Sequence, residues 1–171
     1  ARAYMNKGNA LDMIDQGEDA LDQITRGREM IKVMLFDEGH TGLIEELVFF
    51  ERNMAMTLLG LRRYAEARQL LEESKDSFLK RYVNRDRNTY RWLHTMILNN
   101  LASVEKAAGN PDVALELLEQ AVNMVRETEV ELTSVYVRYF RLTAWNYLAA
   151  LAEWSLPEDV IQCVSDLVEY L

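Results

Sequence analysis

Three alanines recur at a fixed interval. Ala20, Ala67 and Ala114 stand 47 residues apart, and each is followed four residues later by a large aliphatic: Ile24, Leu71 and Leu118. Asn6, Asn53 and Asn100 keep the same interval on the stretches that precede them. A period of this length belongs to chains built of stacked supersecondary units, each too small to bury its apolar face alone. Composition narrows the unit to a helical one. Seven glycines and two prolines in 171 residues leave little room for sheets or long loops, and Ala, Leu, Glu and Arg, all good helix formers, are plentiful.

The apolar periodicity predicts eight helices, near 3–16, 18–36, 42–60, 62–82, 86–108, 111–128, 131–154 and 157–170. They pair into hairpins at about 3–36, 42–82, 86–128 and 131–170, within one domain spanning 1–171. Leu70, Leu71, Phe78 and Leu79 follow helical spacing, as do Leu115, Leu118, Val122 and Val125. Short turns are expected at Gln16-Gly17, Gly60-Leu61, Gly109-Asn110-Pro111 and Ser155-Leu156-Pro157. Asn110 before Pro111 is the sharpest start signal: a capping side chain, then a residue lacking the N–H that a first turn leaves unpaired. Trp145 to Ala149 aligns with Leu98 to Ala102 at the same period, and the turn before Pro157 is one residue short.

Within the first helices a large residue is followed by an apolar–small pair: Leu98-x-x-Leu101-Ala102, Glu51-x-x-Met54-Ala55 and Trp145-x-x-Leu148-Ala149. The second helices supply Ala-x-x-x-aliphatic, with a further small residue at Ser74 and Ala121. This pattern resembles the tetratricopeptide repeat, most closely from Leu98 to Ala121 and over nearly the whole chain. Two features depart from it. The period exceeds the usual 34, which longer helices account for, and Lys7-Gly8 stands where an apolar–small pair belongs. The resemblance implies an all-α, right-handed superhelix of four hairpins, with the first helices lining a concave face. Ala20, Ala67 and Ala114 are then expected at tight, buried helix contacts.

The same resemblance puts Asn6, Asn53 and Asn100 in a groove, with Asn146 beside the fourth copy. It is similar to the arrangement in kinesin light chains and bacterial peptide-pheromone receptors, where groove asparagines hold peptide backbone. An amide offers donors and an acceptor and can pair a peptide N–H and C=O together. The neighbours Arg52, Met56, Met96, Asn99 and Ser103 would set selectivity. The competing role is structural, with each asparagine fixing helix register by bonding a neighbour. The groove role requires the Asn53 and Asn100 amides to be free of intramolecular partners. The two-carboxylate clamp of chaperone-binding repeats is incomplete, because Met5 sits where it uses lysine and Phe49 where the next helix should supply another.

Other chemistry is sparse. His40 and His94 are the only histidines and have no Cys or carboxylate at ligand spacing. No phosphate loop or nucleophile motif is present, so neither catalysis, metal nor cofactor is expected. A net charge of −9 argues against gripping nucleic acid or an anionic membrane. No apolar run reaches the roughly 18–20 residues of a membrane span. The single Cys163, placed among Val160, Val164 and Leu167, reads as a core residue and fits a cytoplasmic, reducing compartment.

From Lys75 to Arg91, six bases face only Asp76 and Asp86. They form either a site for an acidic segment or a solvated corner. Tyr136, Tyr139, Phe140, Trp145, Tyr147 and Trp154 crowd the seventh helix, most as core and one or two as an apolar surface. The last helix carries an apolar stripe without a polar cap, which predicts a homodimer through the C-terminal hairpin or a continuing chain. A start at Ala1 is read as a piece of a longer protein. The function expected is a non-catalytic module holding a protein or peptide segment. The alternatives are a peptide-responsive sensor domain of a bacterial transcriptional regulator, or a purely structural dimerisation scaffold.

Overall fold

The computed structural model describes residues 1–76, 87–126, 134–154 and 162. Among these, regular structure is helical throughout, without a strand. Contacts gather into two compact units, Ala1–Arg81 and Tyr82–Leu171, where the period alone predicts one domain. The first unit holds α1 (Arg2–Met13), α2 (Gly17–Phe36), a 3-10 turn (Thr41–Leu43), α3 (Ile44–Gly60) and α4 (Tyr64–Ser74). The second holds α5 (Arg87–Ala108), α6 (Pro111–Arg126) and α7 (Ser134–Trp154). In each unit a second helix packs on its own partner and on the next first helix, so α2 lies against both α1 and α3, and α6 against both α5 and α7. That is the stacking of a helical solenoid. The predicted eighth helix, with Cys163 and the apolar stripe proposed for a homodimer, lies almost wholly outside the described residues. So do Phe78, Leu79, Lys80, Arg81, Arg85 and the side chains of Tyr136, Tyr139 and Phe140.

The hairpin turns repeat as faithfully as the helices. Asp15, Arg62 and Gly109 have φ of 63°, 60° and 85°, and they stand 47 residues apart. Each turn closes with the same two bonds. Asp15, Arg62 and Gly109 donate to Asp12, Leu59 and Lys106, and Gln16, Arg63 and Asn110 reach back to Leu11, Leu58 and Glu105. This is the Schellman arrangement, in which a left-handed residue turns the chain and satisfies the last carbonyls of a helix. Gly17 and Gly60, expected in the turns, belong to α2 and α3 instead. The left-handed position is filled by glycine only in the third copy.

Helices approach closely where side chains are small. Ala20, Ala67 and Ala114 are all buried, as are Ile24, Leu71 and Leu118. A second set lies two turns on: Gly27, Ser74 and Ala121, also spaced by 47 and all buried. A Cβ on Gly27 would overlap the Phe50 ring and meet Tyr4 Cβ at 3.0 Å. The departure at Lys7-Gly8 is only half a departure. Gly8 is buried at the position of Ala55 and Ala102, and a Cβ there would come within 2.5 Å of Ile24.

Glu51 occupies the place of Leu98 in the next copy and is fully buried. Arg28 of α2 satisfies one carboxylate oxygen, Oε1, with Nε at 2.9 Å and Nη2 at 2.8 Å. Ser74 of α4 faces the carboxylate without closing a hydrogen bond, which leaves Glu51 Oε2 and the Ser74 hydroxyl unsatisfied. Burial raises the Glu51 pKa above its ordinary value, against the opposing pull of Arg28.

Candidate functional site

The second unit contains a cleft of about 160 Å³ between α5 and α7, floored by Ala114 and Leu118 of α6. Three predicted groove residues meet there: Asn99, Ser103 and Asn146. Lys106 and Trp145 complete its rim, with Trp154 at one end.

The period explains the meeting. Equivalent residues on adjacent first helices lie side by side, so partners are 47 residues apart, or 44 when one turn earlier. Asn146 Nδ2 donates to Asn99 Oδ1 at 3.2 Å, and Lys106 Nζ lies 2.5 Å from Glu153 Oε2. Asn99 Nδ2 donates both to Thr143 Oγ1 at 2.9 Å and to the Thr95 carbonyl at 3.0 Å. In the first unit, Arg2 reaches Glu46 at 2.8 Å by the same offset of 44.

Asn99 is 7% exposed, and its two amide hydrogens are both engaged. Asn146 is half-buried and gives one hydrogen to Asn99, so its carbonyl oxygen and second N–H remain for a ligand. Ser103 is exposed and donates to the Asn99 carbonyl, leaving its oxygen as an acceptor. Lys106 sits 4.8 Å from the Trp154 ring centroid, a cation over an aromatic face. Trp145 is 70% exposed. The cleft thus offers amide and hydroxyl chemistry on its walls above an apolar floor, an ion-paired lysine on its rim and a broad apolar ring at its lip.

The remaining predicted residues are placed differently. Asn6 is exposed on α1, and Arg52 and Met56 are half-buried on α3. Asn53 Nδ2 points to the Met5 sulfur of α1. Asn100 is buried and donates to the Met96 carbonyl of its own helix at 2.7 Å. The expectation that both amides are free of partners therefore fails. Met96 is fully buried and lines no open groove. The cause is the position of α5, which buries Leu93 and every residue from Thr95 to Ala102. A helix covered on nearly all sides is a core helix, and an amide taken out of water there must find a partner within the protein. Sequence reasoning missed Thr143 and the Lys106–Glu153 pair, although the spacing of 47 marks the latter.

Among the described residues, no three His, Cys, Asp or Glu side chains gather to hold a metal, and no helix is long and apolar enough to cross a membrane.

The family model for the tetratricopeptide repeat matches residues 49–127. Residues 49–127 carry the tetratricopeptide repeat. Such repeats serve as surfaces for protein–protein interaction rather than as catalytic sites. No curated protein matches the chain in sequence. Among solved structures it is similar to nearly identical tetratricopeptide-like repeats from a protein described as a kinesin light chain of Podospora anserina. The identity is 13% and the TM-score 0.37, over 99% of this chain and 93% of that one. The α5–α7 cleft lies within the repeat array, flanked by the matched helices α5 and α6.

Proposed function

We propose that these tetratricopeptide repeats form a non-catalytic peptide-binding module, and that the α5–α7 cleft receives the peptide. The observation that carries this reading is the meeting of the half-spent Asn146 amide, the Ser103 hydroxyl, Lys106 and the exposed Trp145 ring around one opening. Asn146 and Ser103 take the backbone of an extended segment, and Trp145 covers one of its apolar side chains. Asn53 takes the stacking role, which its contact with the Met5 sulfur of α1 supports, and Asn100 serves neither role, being buried with its amide bonded within its own helix.

A random peptide display library panned on the chain should yield binders whose titration perturbs tryptophan fluorescence. Trp145→Ala should weaken them at least tenfold, about 1.4 kcal/mol, a modest loss for an aromatic anchor. Because the ring is mostly in water, the thermal midpoint should hardly move. No enriched peptide, or peptides indifferent to both Trp145→Ala and Ser103→Val, would overturn the assignment.

A further inference from the structure

The first unit carries an apolar groove of about 780 Å³ on the outward face of α2, walled on one side by Tyr4 of α1. Met30 and Val33 are 45% and 48% exposed within it. Its spine is the four-residue ridge Arg26, Met30, Met34, Glu38. Glu38 lies just beyond the helix but stays on the ridge, because its N–H still turns back to the Val33 carbonyl at 3.2 Å.

That order of residues is complementary to itself. Laid antiparallel on a second copy, with a two-fold axis midway between Met30 and Met34, the ridge sets Met30 against Met34 of the other chain. Arg26 then faces the other chain's Glu38, and Glu38 its Arg26. A two-fold contact presents one patch to itself, so every pairing occurs twice. A shift of one helical turn, placing Met30 on its own copy, would bring Asp22 against Glu38 and lose both ion pairs. Charge therefore selects one register.

The present partners of these charges do not stand in the way. Arg26 pairs with Asp22 at 3.1 Å and Glu38 with His40 at 3.3 Å, and all four side chains are more than half exposed. Such pairs are weak in water and readily exchanged. The methionines suit the centre of the contact, since their unbranched, polarisable side chains adapt to a facing surface.

We infer that the α2 face is a self-association surface, occupied by the same ridge of a second copy of this chain in antiparallel register. Sedimentation velocity of the 171-residue chain over a concentration series tests it. The expected result is a monomer–dimer equilibrium. Arg26→Glu alone and Glu38→Arg alone each place like charges opposite one another twice, and each should weaken the dimer at least tenfold. Combining Arg26→Glu with Glu38→Arg reverses the ridge and should restore it. Both substituted side chains lie in solvent, and far-UV circular dichroism of each of the three variants should match the parent. A monomer at every concentration, a dimer indifferent to both single changes, or a double variant no tighter than the singles would each overturn the proposal.

Discussion

Two neighbouring asparagines on α5 separate two roles that composition cannot. Asn99 ties α5 to α7 through Thr143 and Asn146, whereas the donor bond of Asn100 stays within its own helix. Asn99→Ala strips both partners and should cost about 1–3 kcal/mol in denaturant unfolding. At position 100 the lost bond is offset in part by the roughly 0.5 kcal/mol better helix propensity of alanine, so Asn100→Ala should cost clearly less. Equal losses would contradict the assignment. The period of 47 made Asn6, Asn53 and Asn100 conspicuous, but periodicity does not say which side of a helix is covered. That depends on what packs against α5, a non-local property. Glu51 was legible only as an oddity in a position held by Leu98 in the next copy. Since burial raises its native pKa, the folded chain holds this proton more tightly than the unfolded one. Its stabilising contribution is complete below about pH 4.5, the ordinary carboxyl value, and is lost as pH rises through the native value. The stability of the parent relative to Glu51→Gln should therefore fall as pH is raised from 4 towards neutrality. A relative stability that grows with pH would mean that Arg28 outweighs burial.

At the level of the helix, close approach is set by two small residues a pair of turns apart on each second helix. Gly27→Ala improves helix propensity by about 1 kcal/mol, yet its Cβ collides with Phe50 and Tyr4, and overpacking of this kind costs about 1–3 kcal/mol. A lower denaturation midpoint is expected. Gly60 supplies the control, because nothing lies within 4 Å of a Cβ there; Gly60→Ala should be neutral or stabilising. In the turns, Arg62 adopts the left-handed conformation that Gly109 holds at no steric cost. Arg62→Gly should raise stability by up to about 1 kcal/mol, the relief of strain less the added freedom of the unfolded chain. Helix identity was legible from apolar spacing, and the alanine contacts from repetition. Gly27 was missed although it stands 47 residues before Ser74. The third turn falls at Gly109-Asn110 as its glycine marks, whereas the first two lie one or two residues from Gly17 and Gly60, because the bonding pattern tolerates Asp15 and Arg62 at the left-handed position.

Over the whole chain, α1 to α4 gather into the compact unit Ala1–Arg81. A stretch with its own core is able to fold alone. Residues 1–81 expressed by themselves should show a helical circular dichroism spectrum and a cooperative melt; a random-coil spectrum would show that the unit depends on the rest. The repeat architecture was readable at this scale from a single number. The division into two units was not, because the period runs through 81 and 82 without interruption and only the distribution of contacts reveals it. The side-by-side pairing of residues 44 and 47 positions apart also bears on how such a chain can change in length. Each first helix carries one half of a contact whose other half is encoded a full period away, so an indel of one or two codons inside a unit puts all of that unit's pairings out of phase. Duplication of a complete 47-residue segment brings its matching halves with it. Within the paired first helices, growth and shrinkage are thereby confined to whole steps, whereas a turn can lose a single residue, as the one before Pro157 has.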